Sequence, residues 1–123
     1  FDGLRKTRDA QIAQFSSPWF RFFLTYEPRT SLSRVRVPVL VLNGARDLQV
    51  LPGQNVPEIE KALRAAGNKR VVVRVLPGLN HLFQSCRTGS PDEYGQIEET
   101  FSPAAIREIV AFVRSTGGRA PGR

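Results

Sequence analysis

The chain has 123 residues, 41% of them hydrophobic and 24% charged, which allows one small folded core and excludes a wholly disordered polymer. Eighteen Lys and Arg against eleven Asp and Glu give a net charge of +7. The cations are scattered and no basic run is interleaved with aromatics, so the charge reads as solvated surface and no nucleic-acid partner is expected. No apolar stretch approaches the roughly 18 residues a membrane helix needs, and the single Cys86 excludes an internal disulfide or a multi-cysteine metal site. The chain contains no Met and opens on Phe1, which suggests a processed or truncated product; no signal-peptide pattern is visible, and the compartment stays open.

In chain order, residues 4–15 read as a helix carrying Leu4, Ile12 and Phe15. Ser17 then offers an N-cap with Pro18 at the first helical position. The aromatic segment behind it, Trp19, Phe20, Phe22, Phe23 and Tyr26, reads as core packing between this helix and a sheet; the rival reading is one wall of an apolar substrate pocket. Residues 30–33 read as a polar connection. Residues 35–42 form a Val- and Leu-rich run that suits a strand buried on both faces, with Pro38 tolerable only near its start. Residues 57–66 form the clearest helix, with Ile59, Ala62, Leu63 and Ala66 on one stripe and Gly67-Asn68 as its stop. Residues 70–76 form a second Val-rich strand ending at Pro77-Gly78. A polar stretch over 87–100 follows. Ser102 and Pro103 then cap a last helix to Arg114, with Ile106, Ile109, Val110 and Val113 on one face, and 117–123 reads as a tail.

Strand, helix and strand joined by short connections make a βαβ unit, so the two strands are expected to run parallel. That direction puts the loops after Leu42 and after Leu76 on one edge of the sheet. Asp47 lies in the first loop and His81 in the second. An acid and a histidine at neighbouring strand ends can form the orienting half of a catalytic triad, the acid holding the imidazole in one tautomer while the imidazole moves a proton. Taken singly, each residue has a plainer reading: a hydrogen-bonded structural His, and an Asp that shapes a turn or caps a helix. Asp92 and Glu93 are further acids close after His81, read as a solvated loop, and Cys86 reads as structural or incidental.

Residues 17–114 resemble the C-terminal part of an α/β-hydrolase-fold protein of the serine esterase and peptidase-like group. The resemblance is carried by Ser17-Pro18-Trp19-Phe20 with Tyr26-Glu27-Pro28, by residues 37–47 (VPVLVLNGARD) with Gln49-Val50, and by residues 76–83 (LPGLNHLF). It implies an α/β fold: the last two parallel strands of the hydrolase sheet as a βαβ unit with flanking helices. Residues 1–123 would then be a partial domain that pairs with a missing N-terminal half of the same fold. It further implies Asp47 as triad acid and His81 as base, no metal or organic cofactor, and a small-molecule ester or acyl substrate. The family's Gly-x-Ser-x-Gly nucleophile turn is absent here, Thr88-Gly89-Ser90-Pro91 being the nearest approach, so the nucleophile is expected outside this sequence and the chain alone is expected to be close to inactive. The alternatives are a non-catalytic α/β binding module with a basic surface, and a parent of the same fold with a degenerate nucleophile.

Overall fold

The computed structural model describes residues 2–117. Its elements are α1 (Asp2–Phe15), α2 (Pro18–Thr25), α3 (Pro28–Leu32), β1 (Val39–Gly44), α4 (Pro52–Ala65), β2 (Val71–Leu76), a 3-10 turn (Pro91–Gln96) and α5 (Pro103–Gly117). They fall into two units that divide after Ser31. The expected tail lies outside the described residues except for Gly117, which closes α5.

In the first unit α2 begins as its sequence requires: the Ser17 hydroxyl accepts from Phe20 N at 3.2 Å, with Pro18 at the first helical position. Its rings pair among themselves, Phe15 edge-on to Phe20 at 4.9 Å and Trp19 stacked on Phe23 at 5.6 Å. They are not core. Trp19 is 66% exposed, and Phe22, Phe23 and Leu24 are similarly open. At 100° per residue Trp19, Phe20, Phe22 and Phe23 share one side of the helix, and most of that side is left open. The stretch expected as a polar connection is the short helix α3 from Pro28.

The second unit is a mixed α/β arrangement whose two strands pair in parallel, Val39 opposite Val71 through Gly44 opposite Leu76. Pro38 sets where β1 can start. It has no N–H to give, so the ladder opens one residue later, where Val39 N donates to Arg70 O at 2.9 Å. Helix α4 begins five residues earlier than the sequence stripe suggested, because Pro52 rather than Pro57 occupies the first turn; Pro57 sits inside the helix. Its end follows the Gly67-Asn68 signal: Gly67 takes φ +83°, Gly67 N reaches Arg64 O at 2.9 Å and Asn68 N reaches Leu63 O at 3.1 Å. The Asn68 side chain, itself buried, donates to Val35 O and Val37 O and accepts from Arg70 N, tying the entry of β1 to the entry of β2.

Alternation along the strands separates two faces. Val39, Val41, Val71 and Val73 meet Val56, Ile59 and Leu63 of α4, and this is the core. The opposite face, with Leu40, Val72 and Arg74, looks onto α5 across a gap of about 230 Å³ lined also by Phe112, and Arg74 pairs with Glu108 at 3.2 Å. The cap of α5 is as expected, the Ser102 hydroxyl accepting from Ala104 N at 3.2 Å. Ile106, Ile109, Val110 and Val113 share one face as expected, but that face is exposed, while Ala105 is fully buried and Phe112 partly so. A sheet only two strands wide covers a narrow strip of helix, here the strip that carries Ala105, Glu108 and Phe112. Among the described residues no helix is long and apolar enough to cross a membrane.

Candidate active site

β1 and β2 deliver their following loops to the same sheet edge, and these loops are stitched together by their backbones. Ala45 N donates to Leu76 O at 2.8 Å and Arg46 N to Leu79 O at 2.9 Å. Gly44 makes this approach possible. A Cβ there would stand 2.4 Å from Leu79 O and 2.5 Å from Asn80 O, so only glycine lets the second loop lie this close to the end of β1.

Asp47 turns back over β1, its N–H donating to Gly44 O at 3.1 Å, and is 3% exposed. Its carboxylate is fully occupied. Oδ1 accepts from Gln49 N at 2.9 Å and Val50 N at 2.8 Å; Oδ2 accepts from Asn43 Nδ2 at 2.9 Å and meets His81 Nδ1 at 2.9 Å. Burial alone would push the Asp47 carboxyl up, but the Val50 N–H, the His81 ring and the Gln49 N–H outweigh it, and its pKa falls below the ordinary value. The carboxylate is therefore charged at neutral pH and carries no proton to share. The proton in the 2.9 Å contact belongs to His81 Nδ1; in the neutral ring this leaves the lone pair on Nε2, and the ring is 36% exposed. This arrangement can accept a proton from a group placed against Nε2 and stabilise the imidazolium that results.

The loop that carries His81 is held from below. Asn80 is wholly buried; its Oδ1 accepts from Leu82 N at 3.0 Å and Gln84 N at 2.9 Å, and its Nδ2 donates to Gln84 Oε1 at 3.0 Å. Phe83 takes φ 57°, an uncommon value for an aromatic residue, while its carbonyl accepts from Ser102 N at 2.7 Å. The site thus stores some backbone strain one helix-cap away from α5.

The remaining sequence candidates are placed elsewhere. Glu93 is not a solvated acid: it accepts from Thr88 N and Gly89 N, which hold its pKa below the ordinary carboxylate value, and so clamps its own loop. Asp92 bonds Ser90 at the start of the 3-10 turn. Cys86 Sγ donates to Gly78 O at 3.3 Å. Ser85 donates to Glu99, while the Ser17, Ser90 and Ser102 hydroxyls cap helical turns, so these side chains have structural work already. Beside the acid loop lies an open cleft of about 580 Å³ lined by Arg46, Cys86, Arg87, Glu93, Gln96 and Ile97. Among the described residues no three His, Cys, Asp or Glu side chains gather to hold a metal ion.

Sequence reasoning put Asp47 and His81 at one sheet edge but gave no role to Asn43, which donates to Asp47, or to Asn80 and Gln84, which brace the loop after β2. Asn43 and Asn80 stand inside the two quoted motifs, and a search for side chains able to donate to a loop carboxylate would have found the first. Comparison with protein-family models, with curated proteins and with solved structures finds no match to this chain.

Proposed function

We propose that Asp47 and His81 are the acid and base of a Ser-Asp-His hydrolase that cleaves a carboxylic ester or related acyl bond, the serine and the oxyanion donors coming from residues outside this sequence. The observation that carries the reading is the 2.9 Å contact between His81 Nδ1 and a buried Asp47 carboxylate that the Val50 and Gln49 N–H groups help to keep ionised. In this reading His81 Nε2 takes the proton of the serine hydroxyl as that oxygen attacks the acyl carbon. It returns the proton to the departing alcohol, and repeats the exchange with water to release the acid. Asp47 keeps the ring in the Nδ1–H tautomer and stabilises its positive charge in each transfer.

The test has two parts. The 123-residue chain alone is expected to leave a p-nitrophenyl ester unhydrolysed; turnover at enzyme rates would place the nucleophile within this sequence and overturn the reading. In a protein in which the coding sequence upstream of Phe1 supplies Gly-x-Ser-x-Gly, His81→Ala is expected to cut kcat by roughly 10⁶-fold and Asp47→Asn by about 10⁴-fold, with substrate binding nearly intact. Unchanged turnover in His81→Ala removes it from the mechanism. An upstream sequence with no such serine favours the non-catalytic binding module instead.

A further inference from the structure

Four donors surround the Asp47 carboxylate, and they differ in what carries them. The Gln49 and Val50 N–H groups belong to the acid's own loop, and His81 belongs to the group that the acid has to orient. Asn43 alone is borne by β1, the hydrogen-bonded strand. We propose that Asn43 is a positioning residue of the Asp47–His81 pair, its amide fixing the carboxylate oxygen against which the imidazole is held; the proposal rests on the hydrolase reading above.

Three observations support it. Asn43 Nδ2 donates at 2.9 Å to Oδ2, the same oxygen that His81 Nδ1 meets at 2.9 Å. Turned over, the amide would set its oxygen against a carboxylate, so chemistry fixes the donor's direction. Asn43 is 8% exposed and its Oδ1 is buried with no hydrogen-bond partner. A side chain kept at this position only for packing would serve better as an apolar residue of similar size, such as the Val41 two residues before it on the same face, since that would bury no unpaired acceptor. The orphaned oxygen is what the strand tolerates in order to aim the N–H at Asp47.

The experiment is NMR on the full chain, following the His81 ring nitrogens and the Asp47 carboxyl carbon, unmodified and as Asn43→Leu. In the unmodified chain His81 is expected in the Nδ1–H tautomer; a ring found in the Nε2–H tautomer would overturn the Asp47–His81 reading itself and this proposal with it. With that tautomer in place, Asn43→Leu is expected to move the Asp47 titration to higher pH, because a hydrogen bond to the charged form is lost. An unmoved titration in a folded Asn43→Leu chain would overturn the positioning role and leave the pair standing. A measurement on the unmodified chain decides the matter even where the variant fails to fold. The Asn43 side-chain amide resonance is expected to follow the Asp47 titration, and an amide indifferent to that step would overturn the proposal.

Discussion

A buried carboxylate with four donors around it is a pH-dependent element of the fold. The folded pKa of Asp47 lies below the 3.8 of the free group, so its contribution to stability is present above that value and is lost as pH falls through the folded one. Glu93 shifts in the same direction from 4.5 and acts over a neighbouring range. Urea midpoints measured from pH 7 downward are expected to hold level to about pH 5 and then fall, with Asp47→Asn removing part of that acid limb; an acid limb unchanged in the variant would exclude Asp47 as its source. Gly44 acts at the same scale through shape alone. Gly44→Ala is expected to cost about 1–3 kcal/mol, because a Cβ 2.4 Å from Leu79 O forces the two site loops apart. A midpoint in denaturant equal to that of the unmodified chain would show that the loops part freely.

At the scale of elements, α4 carries most of the core. Leu63 is fully buried in contact with both strands' inner residues, and Leu63→Ala is expected to lose about 2–5 kcal/mol, whereas Ile106→Ser on the exposed side of α5 should change stability by about 0.5 kcal/mol or less. Thermal unfolding of the two variants checks the contrast, and similar losses would mean that α5 is packed by the face that lies outward here. The stripe of α4 and the βαβ order were legible because both depend on local periodicity and connection length. The boundaries were less so. Whether Pro52 or Pro57 opens α4 depends on which proline follows a chain already turning, and both satisfy the first-turn rule. The inward face of α5 was illegible for another reason: its four aliphatic residues make the better stripe, yet the strip that meets the sheet carries Ala105, Glu108 and Phe112, a choice set by long-range packing that helical periodicity does not encode.

For the chain as a whole, the balance between apolar and polar burial is unusual. Six hydrophobic side chains are buried among the described residues, and so are six polar ones: Asn43, Asp47, Asn68, Asn80, Gln84 and Ser102. A core so small is weak support for 123 residues, and large apolar side chains of α2 and α5 are left to solvent. Concentration-dependent self-association is expected, visible as a rising weight-average mass in sedimentation velocity; a monomer at every concentration would show that these faces do not associate. This scale also explains why the acid–histidine pair was readable in advance while its surroundings were not. Parallel strands must emit their loops at one edge, a rule that needs only strand direction. The support from Asn80 to Gln84, the Phe83 conformation and the Glu93 clamp each depend on contacts that no local pattern announces.

The pairing of Gly44 with Leu76 also makes the site a gauge of strand alignment. Sliding β2 by one position along β1 would displace its exit by roughly 3.3 Å and exchange the faces of every side chain on it. His81 and Asp47, now at 2.9 Å, would lose their contact on so short a slip. Misaligned chains would turn Val71 and Val73 out of the core but could keep their helices, and so could pass as native by far-UV circular dichroism. The imidazole proton shared with Asp47 would be missing from them, which makes that one resonance a direct count of correctly threaded molecules.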